Sequence, residues 1–422
     1  MTRFWQIFKI PDLRNKVFIV LSLLIVFRLL SAIPIPGIDP IRLKNFFESS
    51  QLFGLFSVFS GGSLSNLSIM MLGVGPYITA TIIMQLLTMI FPALKALYHE
   101  EGSLGRAKFN RYSRYLTVPL AALSGYGFLN LLINQGALPE LALLPMLRNV
   151  VLITAGSMVL MWIGELITEQ KLGNGTSLII FAGIVSNLPT IARTAIFSYD
   201  PATLPTYIAF ILLSVVIIAG VVFVNQGERK VPVSYSKRIR GNRVYGGATS
   251  YLPLRVNQAG VIPIIFAISI LLFPQFFAQI ISIFSTSASI KLTELVTRFL
   301  SHQIIYAVIY FGLVVIFTYF YTAVTFDSKE ISKNLQRSGG FIPGIRPGES
   351  TGDFLAGITR SITLFGALFL GIVAVLPNIT QIVTGIPSLT IGGTALLIVV
   401  SVALEVMKQV ESQLTIREYE GV

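Results

Sequence analysis

The sequence predicts an all-α protein threaded repeatedly through a membrane. Three observations carry this: 54% of the 422 residues are apolar, only 12% are charged, and the apolar residues gather into ten runs of roughly membrane-crossing length. Soluble domains carry about 25% charged residues, and half of that cannot cover the surface of a water-exposed fold of this size. Lipid must therefore be most of the solvent.

The elements follow in order. The first sixteen residues mix Arg3, Lys9, Arg14 and Lys16 with Phe4, Trp5, Phe8 and Ile10 before any long apolar run. They are not built as a cleavable signal and read as an interfacial helix or as a disordered basic tail. Spans are centred in residues 17–33, 72–91, 115–133, 150–167, 176–195, 207–224, 261–283, 304–326, 358–376 and 394–407, near the roughly 20 residues that cross about 30 Å of hydrocarbon. Arg28, toward the outer end of the first, can snorkel to the headgroups. Glu165 and Glu169 end the fourth, with Lys171 as a candidate partner. Intramembrane carboxylates are functional candidates, but the interface is close enough here for simple solvation.

Sorting the cations gives an orientation, since positively charged loops stay in the cytoplasm. With the N-terminus inside, 24 Lys and Arg fall in inner segments; six fall outside (Arg42, Lys44, Arg148, Arg193, Lys291 and Arg298). Both termini are expected to be cytoplasmic. The net charge of +12 suits an anionic membrane surface or partner.

Two inner loops stand out. Residues 225–257 carry Arg229, Lys230, Lys237, Arg238, Arg240, Arg243 and Arg255, and VPVSYSKRIRGNRVYGG reads as a hairpin turning toward Gly246 and Gly247. Residues 327–360 contain FIPGIRPGEST, where Pro343, Gly344, Pro347 and Gly348 bracket Arg346. Orientation alone needs neither this length nor this turn chemistry.

Residues 54–77, GLFSVFSGGSLSNLSIMMLGVGPY, differ from a full span. Gly61 and Gly62 lie inside the segment and Gly73, Gly75 and Pro76 close it, so a short helix stops there and another begins with Pro76 in its first turn. Irregular backbone at membrane depth needs protein or water around it, which points to a pathway. An outer interfacial helix is the alternative.

Six stretches together resemble the bacterial SecY family, channel subunits of the protein translocase. They are IPIPGID (33–39), FSGGSLSNLSIMMLGVGPYITATIIMQLL (59–87), GELITEQKLGNGTSLIIFAGIV (164–185), LPLRVNQAGVIPIIFA (252–267), FIPGIRPGEST (341–351) and GGTALLIVV (392–400). The resemblance runs in order along nearly the whole chain. It implies two pseudo-symmetric five-span halves, residues 1–200 and 201–422, around an hourglass pore. It also implies a plug within about 54–72, matching Gly61, Gly62, Ser63, Leu64, Ser65, Asn66 and Leu67.

The same resemblance carries an apolar constriction onto Ile78 and Ile82 of the second span, Thr176 and Ile180 of the fifth, Ile265 of the seventh and Ile398 of the tenth. A narrow ring of stiff, apolar, β-branched side chains dewets and blocks ions. Taken singly, such isoleucines would be ordinary packing. Thr176 departs from the apolar residue expected; its hydroxyl can bond back to a helical carbonyl and expose its methyl, or the ring is one member smaller. Gln85, Asn257 and Gln258 fall within or near the helices that line the family's lateral gate, where polar pairs of about 0.6 kcal/mol could hold it shut and still let it open.

The function that the resemblance implies is passage of unfolded secretory polypeptides across, and release of hydrophobic segments sideways into, the bacterial inner membrane. It implies a SecE subunit, often SecG, the SecA ATPase or a translating ribosome as motor, and signal sequences and nascent chains as cargo, with Arg238, Arg240, Arg243 and Arg346 as ribosome or SecA contacts. Ribosomal RNA phosphates fit such basic loops. Other classes fit worse. A secondary transporter shares the broken helix but places ionisable ligands near the midplane, where these spans have almost none. Zero cysteines, two histidines (His99 and His302) and no GxxxxGK[ST] leave no cofactor, metal cluster or nucleotide site expected, and no intramembrane catalytic dyad.

Overall fold

The computed structural model describes residues 10–36, 67–134, 138–139, 141–197, 204–235, 238–240, 243–245, 249–284, 291–292, 294–296, 302–384 and 390–420. All ten apolar runs coincide with helices. They are α1 (Pro11–Leu30), α2 (Gly75–Ile90), α4 (Gly102–Asn134), α5 (Leu143–Glu169), α6 (Gly175–Phe197), α7 (Leu204–Gln226), α8 (Ile262–Phe284), α9 (Gln303–Thr325), α11 (Glu349–Thr384) and α12 (Thr390–Glu420). Two shorter helices, α3 (Pro92–His99) and α10 (Ser328–Arg337), lie between them. Among the described residues four helices are by themselves long and apolar enough to cross a membrane, and the bent pair of α2 and α3 makes a fifth.

That bend of 116° ends the second apolar run more sharply than the sequence suggests. Phe91 adopts an extended conformation (φ −105°, ψ 109°), because the ring of Pro92 disfavours the helical region for the residue before it. At the other end Pro76 lies in the first turn of α2 as expected.

Packing divides along the chain. Within the first five spans α2 packs on α4, α4 on α5, α5 on α6, and α1 against both α5 and α6; within the rest α9 packs on α11 and α8, and α12 on α7 and α11. The main contacts joining the two sets run from α8 to α2 and α4, and from α12 to α6. One large apolar core draws on every span except α4, whose Phe128, Leu129 and Leu132 belong to a second cluster with Ile35, Leu67 and Met71. Phe266 of α8 meets the rings of Phe317 and Tyr321 on α9 edge-on, each with centroids 6.0 Å apart. By contrast α7 turns Ile208, Ile211, Leu212, Val215, Val216 and Phe223 outward, as a lipid-facing helix does.

The two basic loops form one small unit. Strand β1 (Glu228–Tyr235) pairs antiparallel with β4 (Thr249–Arg255), from Glu228↔Arg255 to Ser234↔Thr249. Strands β2 (Arg238–Arg240) and β3 (Arg243–Tyr245) continue the same register, ending on Arg240↔Arg243. The strand pairing therefore already closes at Arg240↔Arg243, ahead of the glycine pair expected to make the turn, which lies outside the described residues. Ile239 and Val244 are themselves paired and extend the strand pattern to that point. From the second loop β5 (Gly340–Phe341) joins the free edge of β1. Val231, Val233 and Leu254 on the sheet, Ile342 beyond β5 and Leu355 of α11 form a separate buried core.

The ends of the segment 37–66 are tied together. Ile35 N–H donates to Leu67 O at 2.9 Å and Ile69 N–H to Ile33 O at 3.1 Å. This two-stranded clasp rests on α5, where a Cβ added to Gly156 would collide with the carbonyl oxygen of Ile69. Gly156→Ala is thus expected to destabilise the protein by roughly 1–3 kcal/mol and lower its melting temperature in detergent. Gly357→Ala, whose added methyl meets nothing within 4 Å, should leave it unchanged or slightly higher. Equal shifts at the two positions would show that the clasp does not bear on α5.

Candidate functional site

A recess of about 370 Å³ opens where α2, α4, α5, α6 and α8 converge. Its wall combines polar side chains, Thr81, Gln85, Asn110, Arg114, Glu165, Glu169 and Asn174, with apolar ones, Ile78, Ile262, Ile265 and Phe266. Each position follows from helix periodicity. Ile78, Thr81 and Gln85 are spaced three and four apart along α2, so one face of that helix lines the recess.

Of the residues that the resemblance assigns to the constriction, Ile78, Thr176 and Ile265 reach the recess. Ile82, Ile180 and Ile398 are buried at 3%, 1% and 0% exposure, and all five isoleucines belong to the same apolar core. Ile82 and Ile180 each sit one turn beyond a residue of the recess wall, so the apolar cluster forms behind it.

The hydroxyl of Thr176 does not make the back-bond to a helical carbonyl expected of it. Its hydroxyl donates to Asn174 Oδ1 at 2.6 Å, and that oxygen also accepts the backbone N–H groups of Thr176 (3.0 Å) and Ser177 (3.3 Å). Thr176 lies in the first turn of α6, so the carbonyl four residues back is in the preceding turn and outside any helix. Asn174 instead caps the free amides of that turn. The close crossing of α5 and α6 here needs Gly175, because an added Cβ would strike the Gly164 carbonyl.

Glu165 is held by Arg114 of α4, whose Nε stands 2.7 Å from Oε1, in place of the solvation or the Lys171 pairing read from the sequence. Fifty-one residues separate the two, and only the packing of α4 on α5 brings them together. Lys171 itself adopts φ 58° in the turn between α5 and α6, where its carbonyl accepts a hydrogen bond from Gln413 Nε2 of α12.

The expected polar pair between α2 and α8 is not formed. Gln85 lines the recess and its Oε1 is buried without a protein partner among the described residues. Asn257 precedes α8 instead of lying within it, and its Nδ2 donates to Asn225 Oδ1 of α7 at 2.8 Å and to Gly260 O at 3.2 Å. Gln258 is half-buried beside it. Asn225 is much nearer to Asn257 than Gln85 because the hairpin returns β4 to the end of α7.

Residues 61–66 of the expected plug lie outside the described residues. Leu67 is 1% exposed in the clasp core. Of the expected contact residues, Arg238 and Arg240 lie on β2 and Arg243 on β3, the register placing all three on one face of the strand pair. Arg346 is exposed in a tight loop, with positive φ at Gly344 (82°) and Gly348 (106°). Its carbonyl accepts from Thr351 Oγ1 at 2.9 Å, and Ser332 Oγ of α10 donates to the carbonyl of Gly348. Asp327 caps α10 through Lys329 and Glu330 N–H at 2.9 and 3.1 Å, fixing the loop from its other side.

Comparison with known proteins follows the same outline. The SecY family model matches residues 68–407. A protein translocase subunit SecY from Thermus thermophilus is 44% identical over 428 residues, covering 99% of this chain and 96% of the relative. Its counterpart in Corynebacterium glutamicum is 42% identical over 448 residues, covering 100% and 99%. Among solved structures, one described as a protein-conducting channel superposes with a TM-score of 0.62 at 19% identity, over 94% of this chain and 91% of that one. A second, of a SecY protein whose plug domain is described as stabilising the closed channel, gives 0.64 at 18% identity over the same shares.

Proposed function

The chain belongs to the SecY family, a multi-pass membrane protein and protein translocase subunit, and from that premise we propose that it conducts unfolded secretory polypeptides through its centre and releases hydrophobic segments sideways between α2 and α8. The observation that carries this reading is the polar recess backed by a continuous apolar cluster at the meeting of the two helix sets. A secondary transporter would need charged ligands at that depth. Among the described residues the ion pair in the recess, Arg114 with Glu165, is an internal bond between α4 and α5.

The steps follow from the residues. An apolar ring from Ile78, Ile82, Ile180, Ile265 and Ile398, edged by Thr176, excludes ions at rest because water has no partners there. A passing chain fills the ring with its own side chains. A transmembrane segment gains on the order of 0.3–0.6 kcal/mol per large apolar residue on reaching lipid, so a run of them outweighs a gate held only by packing. The 54–72 segment, its ends clasped at residues 33–35 and 67–69, would serve as the plug. Two five-span halves, 1–200 and 201–422, would separate along the α2 to α8 contact.

Energy would come from a partner, the SecA ATPase or a translating ribosome, with SecE and SecG as companion subunits in the bacterial inner membrane and both termini cytoplasmic. Arg240 and Arg243 are a cross-strand pair, an arrangement that repels in isolation and is relieved by phosphate. The rigid 340–348 loop presents Arg346 in fixed geometry, suited to bidentate pairing.

Reconstitution in vesicles with SecE and SecA, followed by ATP-dependent protease protection of a secretory precursor, tests the function. Absence of protected precursor in a competent system would overturn it. In planar bilayers Ile180→Asn and Ile398→Asn should raise resting ion conductance several-fold, most clearly with residues 61–67 deleted, while Thr176→Ile should lower it. Asparagine variants that conduct like the parent would remove these positions from the ring.

Reversing charge at Arg240 and Arg243 should weaken ribosome binding and flatten its salt dependence by about 0.7–0.9 log units of affinity per log unit of salt for each lost phosphate contact. Arg346→Glu should slow SecA-driven export with insertion and SecE association intact, and Arg346→Lys should restore it only in part. A binding titration with unchanged slope, or export at the parent rate, would reduce these arginines to topology charges.

A further inference from the structure

The connection from the basic hairpin into α8 is held in a way that neither the recess nor the strand pairing requires. The chain leaves α7 at Gln226, makes the hairpin and returns at Arg255, and Val256 N–H donates to Gly227 O at 2.9 Å. Six residues later α8 begins. Asn225, in the last turn of α7, accepts from Asn257 Nδ2 at 2.8 Å and donates through its own Nδ2 to Ser401 Oγ of α12 at 2.9 Å. Its backbone carbonyl, without a helical partner at the end of α7, accepts from Lys408 Nζ of α12 at 3.0 Å. On the far side α11 presses so closely that a Cβ at Gly366 would stand 2.6 Å from the Val256 carbonyl oxygen.

The joint is therefore tied to α7, α11 and α12. Of the two bonds of Asn257 one runs to α7 through Asn225 and the other to Gly260 within the joint, neither to α2. Asn225 uses both ends of one amide to bridge the joint to α12, which also carries Ile398. We propose that Asn225, with Asn257 and Ser401, is a positioning latch that sets where the first turn of α8 stands and so biases the contact of α8 with α2 toward the closed arrangement. This rests on the channel reading above. Breaking the latch frees the start of α8, lowers the differential binding needed to open the gate, and shifts the population toward the open state. It also loosens the link by which a partner seated on the hairpin displaces α8.

The test uses the full chain in proteoliposomes with SecE and SecA, the amount of folded, inserted protein being equalised. Export of a precursor with a defective signal sequence is measured relative to the intact precursor. Asn225→Leu, similar in volume but without either polar end, should raise that ratio about five- to ten-fold, the change that two membrane hydrogen bonds are worth. Asn225→Asp keeps the acceptor for Asn257 and accepts from the Ser401 hydroxyl, so it should match the parent. Ser401→Ala should raise the ratio about two- to three-fold, and it decides the matter if Asn225→Leu does not fold. The proposal is overturned if the parent exports intact precursor normally and Ser401→Ala and Asn225→Leu keep the parent ratio, or if Asn225→Asp behaves as Asn225→Leu. A parent that exports nothing overturns the channel reading itself.

Discussion

Backbone amides and carbonyls in hydrocarbon have no water to bond, and this constraint organises the whole molecule. It forces each apolar run into a helix and confines irregular backbone to places where protein supplies the partners. The turn at 170–174 is closed by the Asn174 side chain and by Gln413 reaching the Lys171 carbonyl. The 256–261 joint is closed by Asn225 and by the Gly227 carbonyl. The clasp at 33–35 and 67–69 satisfies itself by pairing one strand with the other.

Two of these closures border the recess, the turn through Asn174 and the joint through the start of α8 at Ile262. Glycine makes them possible where backbones must touch: Gly175 lets α6 start against α5, and Gly366 lets α11 lie on the joint before α8. Polar side chains then stabilise the joints, each bond modest in strength. A channel that must open benefits from that weakness. The apolar core carries most of the stability, while the joints are held by single hydrogen bonds and close backbone packing.

The hairpin, the 340–348 loop and the start of α11 share one small core outside the helical body. A force on the arginine tip is passed through paired strands instead of a flexible loop. Because β4 runs directly into the joint before α8, the cationic surface and that helix are linked by one short, bonded connection. A chain that merely obeyed the charge rule for loops would not need this construction.

The amino-acid sequence by itself determined the solvent, the helices and the family. Apolar runs of about 20 residues can be read without tertiary information because each helix satisfies its own backbone, and Pro76 marked the start of α2 for a purely local reason. The isoleucines could be assigned only through resemblance, since isoleucine is equally at home facing lipid, a neighbouring helix or a pore. What tertiary structure alone decided were the partners: Arg114 with Glu165, Asn257 with Asn225 instead of Gln85, Thr176 with Asn174, and β5 on β1. The pairing of Arg240 with Arg243 likewise followed from the register of the strands and not from the nearest glycines. A polar residue announces in sequence that it needs a bond, but the choice of partner depends on which helices pack, and that is settled by the burial of the whole apolar core.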